Sequence, residues 1–213
     1  MEIYWHYYKY LLWIYYFNQI DFMIEAKDLF GTSSETYKHW RPSYSAQLFE
    51  TIKLHYPNVK IIWDAGTWNG QAAHSLAQSY QVYATDISAS QINQAQLSPN
   101  IFYSVASAEY SWLKPHSIDL ITSAAAVHWF DPQWFITEAQ RVSVWDPQFA
   151  LWSYRASPQT NNNELNQILD HILYDELRRF WSDLAKRSNS LYKDLSLLQK
   201  LDIIESIDFD TIA

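Results

Sequence analysis

From residue 59 onward, short apolar runs rich in Ile, Val, Trp and Tyr alternate with mixed stretches of helical length. Strand candidates fall at 60–65, 81–85, 101–105, 118–123 and 149–154, and the segments 71–80, 88–97 and 132–142 between them read as helices. That alternation is the pattern of βα units feeding a parallel sheet, and it predicts an α/β domain. Asp131 followed by Pro132 marks a helix start, with Asp as the cap and Pro in the first turn. Residues 43–55 predict one more helix ahead of the first strand, entered through the rigid step at Arg41 and Pro42. Beyond Tyr154 the pattern changes to a polar loop at 161–163 and two helical stretches, 164–186 and 190–200.

Length and composition narrow the picture. A chain of 213 residues suits one domain, since domains usually run about 100 to 200 residues. Hydrophobic residues at 48% against 18% charged exclude a fully disordered protein. The 15 basic and 23 acidic residues give a net charge of −8 with no Lys/Arg run, so nucleic acid is not an expected partner. The lack of cysteine excludes disulfides, thiolate metal sites and a cysteine nucleophile, and fits a reducing, cytoplasmic setting. His6, His39, His55, His74, His116 and His171 show no metal-ligand spacing with Asp or Glu, so no metal is expected. No G-x-S-x-G elbow is present for a serine hydrolase.

The first 22 residues stand apart, because ten of them are Tyr, Trp or Phe. A membrane span over 3–20 is disfavoured by His6, Lys9 and the many Tyr, which belong at an interface. A secretory signal is disfavoured by Glu2 and by the lack of a small-residue cleavage site. Three readings remain open: an anchor touching a membrane surface, an aromatic helix packed on a partner, or an extension ahead of a start at Met23.

The chemistry-bearing string is IIWDAGTWNGQAAHSLA, in which an apolar run ends at Asp64, Gly66 and Gly70 follow, and a helix begins near Gln71. The chain has only 3 glycines, where ordinary usage would give roughly fifteen, so two within one loop stand out. Glycine lacks Cβ and lets a ligand approach, and a helix N-terminus offers free N–H groups. The next strand ends in Asp86, a carboxylate placed to accept hydrogen bonds from the two hydroxyls of a ribose. Taken alone, Asp86 also reads as a cap for the helix after it. The G-x-G-x-x-G fingerprint is absent, which sets a nicotinamide-dependent oxidoreductase far behind.

WDAGTWNGQ resembles the D-x-G-x-G-x-G-Q loop of class I S-adenosylmethionine-dependent methyltransferases. Further landmarks follow in order over 30–154: FGTSSETYKHWRPSY, TDIS, ASAEYSWL, SIDLITSAAAVHWFD and FITEAQRVSVWDPQFALWSY. Together they look like the trans-aconitate methyltransferase-like branch. The resemblance implies a Rossmann-like sheet of strand order 3-2-1-4-5 with helices on both faces, and methyl transfer from S-adenosyl-L-methionine to a small-molecule acceptor, a carboxylate. It divides the chain into the extension 1–22, a methyltransferase core 23–154 and a helical cap 155–213. It also implies roles. Asp64, Gly66 and Gly70 line the methionine part of the cofactor, Asp86 holds the ribose, and Ile87 packs on adenine with Ala108 and Glu109 at its edge. Ala124 and Ala125 face the sulfonium, His128 and Trp129 border the acceptor pocket, and Tyr37 and Arg41 close over the site.

A carboxylate acceptor is already ionised, so orientation and desolvation supply most of the rate and no general base is required. His128 is either a hydrogen-bonded wall residue or a proton acceptor, and Arg41 either clamps the acceptor or forms a structural ion pair. Three departures from the family pattern stand out. Trp68 replaces the middle glycine, and a left-handed backbone there would be strained by about 1 to 3 kcal/mol. Trp145, Asp146 and Pro147 replace a glycine turn, though Asp-Pro is still turn chemistry. The family's last two strands are expected to be missing, leaving the edge of strand 149–154 for the aromatic head or for a second copy in a homo-oligomer. These departures motivate an alternative, a non-catalytic binding or scaffold protein of the same fold.

Overall fold

The computed structural model describes residues 2–7, 44–153, 162–172, 175 and 203–208. Strand β1 (Glu2–Tyr7) is followed by helix α1 (Ala46–His55), β2 (Ile61–Ala65), α2 (Gln71–Leu76), β3 (Gln81–Asp86), α3 (Ala89–Ile92) and β4 (Ile101–Val105). Then come β5 (Leu120–Ala124), α4 (Pro132–Val142), β6 (Gln148–Ser153), α5 (Asn163–His171) and β7 (Ile203–Asp208). The sheet order is β4-β3-β2-β5-β6-β1-β7, and its first five strands are parallel, which is the expected 3-2-1-4-5 arrangement.

Local chemistry explains the element ends. Ser45 caps α1, its Oγ accepting from Leu48 N–H, and α1 buries Leu48 and Ile52, one turn apart. Asp131 Oδ1 accepts the N–H groups of Gln133 and Trp134 at 3.0 Å each, with Pro132 in the first turn. Helix α4 then buries Phe135, Glu138, Ala139 and Val142, a single stripe at helical spacing. Helices α2 and α3 are shorter than the pattern predicts, α3 spanning four residues. The strand expected at 118–123 is Leu120–Ala124, because Asp119 Oδ2 accepts from Lys60 and Ile61 N–H and the ladder with β2 begins at Ile62↔Leu120. Ile118 instead bridges to Ser143.

Two cores form on the two faces of the sheet. Ile62, Val82, Ala84, Leu120, Ala150 and Trp152 pack under α1 and α2, where Trp152 meets Tyr44 edge-on at 5.7 Å. Trp63, Ile121, Phe149 and Leu151 face α4, with Phe135 centred 5.8 Å from both Trp63 and Phe149. Each large aliphatic or aromatic side chain among them contributes roughly 1.5 to 3 kcal/mol through burial.

The expectation of missing strands is corrected here: the sheet has seven. Strand β1 pairs antiparallel with β6, from Glu2↔Ser153 to Tyr7↔Gln148, and β7 pairs antiparallel with β1. The reason is physical, since a buried apolar strand such as β6 would otherwise leave a row of backbone N–H and C=O groups at an open edge. Residues 2–7 are therefore strand rather than helix, and the edge proposed for a second copy is already taken. Residues 8–22 and the predicted helix 190–200 lie outside the described residues. Of the predicted helix 164–186, the described portion contains α5. Residues 144–146 form a bend directly ahead of Pro147, as Asp-Pro chemistry predicts.

Candidate active site

The chain runs outward from β2 to β3 and β4, then crosses back to place β5 on the other side of β2. In open α/β sheets a ligand crevice opens beyond the carboxyl ends of the strands at such a switch point. Here that places Asp64 and Ala65 of β2 beside Thr122 to Ala124 of β5, with Asp86 ending β3.

The loop after β2 is pinned from below. Fully buried Asp64 accepts the hydroxyls of Thr67 at 2.6 Å and Thr122 at 2.8 Å, one on each carboxylate oxygen. Thr67 N–H donates to Thr85 O, and Gly70 N–H to Thr67 O. Asp64 thus sits behind the loop and ties it to β5. Asp86 is pinned from above: Oδ2 accepts Trp68 N–H at 2.9 Å and Oδ1 accepts Ser88 N–H at 2.8 Å. Asp86 therefore does not cap helix α3, whose N-cap is Ser88, but holds the N–H of that cap residue.

Both loop glycines are left-handed and both are closely covered. A Cβ at Gly66 (φ 69°) would meet Ala126 Cβ at 2.6 Å and Phe130 Cζ at 3.0 Å. A Cβ at Gly70 (φ 79°) would collide with the Tyr103 hydroxyl and lie 2.8 Å from Tyr103 Cζ. Burial, reinforced by the negative charge of Asp64, pushes the Tyr103 phenol up to about 12, and its hydroxyl donates to Gln96 O at 3.2 Å. Trp68 is also left-handed, with φ 57°, the strained case anticipated for this position. Its side chain is buried, in a cluster with Ala108, Ala126 and Phe130.

The other predicted residues take the following places. Ile87 is half-buried directly after Asp86, and Ala108 is buried beyond β4. Glu109 accepts Asp131 N–H at 2.9 Å, tying its loop to the start of α4. Ala124 is buried at the end of β5, and Ala125 (φ 52°) turns the chain while donating its N–H to Trp152 O. His128 and Trp129 lie on the short 3-10 turn Val127–Trp129, their rings 5.0 Å apart, with His128 buried and Trp129 half-buried. Tyr37 and Arg41 lie outside the described residues.

Sequence reasoning missed the network that holds the 108–113 segment. Glu138 Oε1 accepts both the N–H and the hydroxyl of Ser111, and Arg141 donates to both Glu138 oxygens and to Leu113 O. Burial pushes the Glu138 carboxyl up, but hydrogen bonds from Arg141 and Ser111 and the Arg141 charge outweigh it and hold it below the usual carboxylate range. The readable signal was the i, i+3 placement of Glu138 and Arg141 on α4.

A family model described as a methyltransferase domain matches residues 63–144, from the middle of β2 to just past α4. A protein from Dictyostelium discoideum that bears a methyltransferase name is 32% identical over 171 residues, covering 79% of this chain and 65% of its own length. Over these residues the chain is similar to class I S-adenosylmethionine-dependent methyltransferases. A solved methyltransferase of type II from Anaeromyxobacter dehalogenans shares 33% identity and superposes with a TM-score of 0.58, covering 67% of this chain and 60% of that one. A phosphoethanolamine N-methyltransferase of Haemonchus contortus, solved with phosphoethanolamine and S-adenosylhomocysteine, shares the fold at 20% identity and a TM-score of 0.51. It covers 68% of this chain and 34% of that one. The chain thus spans 65% of the Dictyostelium relative's length.

S-adenosylmethionine is the cofactor of this methyltransferase family. The end of β3 fits it: Asp86 stands at the switch-point crevice with the polarity a ribose requires. The surface of the glycine loop fits it less well, because Ala126, Phe130 and Tyr103 pack directly against the positions where Gly66 and Gly70 lack a Cβ. Among the described residues, no helix is long and apolar enough to cross a membrane.

Proposed function

We propose that this methyltransferase transfers a methyl group from S-adenosylmethionine to a small-molecule acceptor, a carboxylate, in the cytoplasm. The observation that carries the reading is the juxtaposition of Asp86 with the Gly66–Gly70 loop across the Trp68 N–H bond, at the carboxyl ends of β2 and β3. In this reading Asp86 accepts from the ribose hydroxyls, while Ile87, Ala108 and Glu109 frame adenine. Gly66, Gly70 and the Asp64-pinned loop face the methionine part, with Ala124 and Ala125 at the reacting end. Tyr37 and Arg41 close the site from the N-terminal side.

When bound, the cofactor supplies an electrophilic methyl whose C–S bond breaks as the acceptor oxygen bonds to carbon, leaving a neutral thioether and an ester. The acceptor enters ionised, so no side chain needs to remove a proton. His128 and Trp129 then act as a wall that orients the acceptor and excludes water, which strengthens the attraction between carboxylate and sulfonium. The resemblance to the trans-aconitate branch and the buried position of His128 support this assignment.

The test is transfer of a labelled methyl group to a panel of small di- and tricarboxylates, scored as label released by mild base, which cleaves methyl esters. Base-labile label that depends on Asp86 supports the reading. Label found only on amines or hydroxyls would remove the carboxylate from it.

A further inference from the structure

The best-placed unusual residue in the domain is Trp68. A bulky residue with φ 57° is a genuine outlier, and such conformations persist only where surrounding contacts hold them. Two such contacts exist here. The Trp68 N–H is held by Asp86, and the indole, only 6% exposed, is buried with Ala108, Ala126 and Phe130. Ala126 and Phe130 of the same cluster also cover Gly66. Ala108 lies beyond the carboxyl end of β4, beside the strand that ends in Asp86. Trp68 thus stands in the loop at the switch point, with its backbone held by the acid proposed to hold the ribose and its indole almost fully buried.

We infer that Trp68 is an internal occupant of the cofactor cleft and the residue that sets cofactor affinity: a purine nucleoside enters only as the indole leaves the cluster with Ala108, Ala126 and Phe130. This inference rests on the reading of Asp86 as the ribose acceptor. Ribose hydroxyls arriving at Asp86 replace the hold on Trp68 N–H, and the loop at 67–69 is then released from its left-handed strain. Because binding must first vacate the cleft, the apparent dissociation constant is the intrinsic one divided by the fraction of open molecules. Replacing Trp68 removes that factor. Glycine accepts φ 57° without strain and carries no ring, while asparagine tolerates the left-handed backbone and is smaller.

The experiment titrates the full chain and its Trp68→Gly, Trp68→Asn and Trp68→Phe variants with S-adenosylhomocysteine by calorimetry, after circular dichroism has shown each to be folded. The inference predicts affinity raised tenfold or more in Trp68→Gly and Trp68→Asn, with Trp68→Phe remaining near the parent. Fluorine NMR of the parent chain labelled with fluorotryptophan supplies a readout that does not depend on the Gly variant folding. The resonance absent from Trp68→Phe should move to a solvent-exposed position on saturation with the ligand. Equal, measurable affinities in parent and variants, or an unmoved Trp68 resonance at saturation, would overturn the inference while leaving the cofactor reading intact. No binding to any of the folded proteins would overturn both.

Discussion

The Trp68 N–H donates to Asp86 at 2.9 Å while the indole of the same residue is buried with Ala108, Ala126 and Phe130, so one residue links the acid at the end of β3 to the rings over the loop. Replacing Asp86 with Asn keeps the shape but removes the charge that two amides address. Hydrogen bonds to charged groups contribute about 1.5 to 3 kcal/mol against 0.5 to 1.5 for neutral ones. Asp86→Asn should therefore lower unfolding stability by about 1 to 2 kcal/mol in urea titrations. It should also weaken S-adenosylhomocysteine binding by about tenfold or more, the equivalent of at least 1.4 kcal/mol. Unchanged affinity would detach Asp86 from the ribose.

Gly70 is required twice over, by its φ of 79° and by the Tyr103 ring against it. Gly70→Ala should cost about 2 to 4 kcal/mol from the combined strain and overlap. Adding Tyr103→Ala should recover the steric part and leave the backbone part, so the pair will be strongly non-additive in a double-mutant cycle read by urea midpoints. Additive losses would mean that Tyr103 does not press on the loop.

Glu138 predicts a pH dependence. Its folded-state pKa lies below the usual value, so the stabilisation is fully present above the unfolded pKa of about 4.3 and is lost as pH falls through the lower folded value. Stability of the parent chain should fall more steeply below about pH 5 than that of Glu138→Gln. At neutral pH the variant should be less stable by about 1.5 to 3 kcal/mol, since it breaks charged hydrogen bonds to Arg141 and Ser111. Parallel pH profiles would contradict this.

Strand β1 predicts that the first residues are structural. Deleting residues 1–7 removes six register pairs with β6 and strips β7 of its partner. The deletion should lower stability by about 3 kcal/mol or more and shift the chain toward larger species in size-exclusion chromatography, as an open apolar edge pairs with another copy. A monodisperse monomer of parental stability would contradict the role of β1.

The five parallel strands were legible because each is a local apolar run with a helix-length spacer, and the strand, glycine loop and helix that follow Asp64 were legible because they are contiguous along the chain. Tyr103 was not, since its position over Gly70 depends on the register Ala84↔Tyr103, which no local pattern encodes. The same holds for the final two strands. Glu2–Tyr7 is so rich in aromatic residues that its period does not separate strand from helix, and its partner β6 lies more than 140 residues away. Trp68 was legible as a departure, but not its burial, because the cluster that receives it draws on residues from beyond β5.

The most direct test of the account is calorimetric titration of Trp68→Gly with S-adenosylhomocysteine, alongside Trp68→Gly combined with Asp86→Ala. The account predicts saturable binding in the first, in the micromolar range or about −8 kcal/mol, and its loss by tenfold or more in the second. Equal binding by both folded proteins, or no binding by either, would contradict the assignment of this loop and acid as the cofactor site.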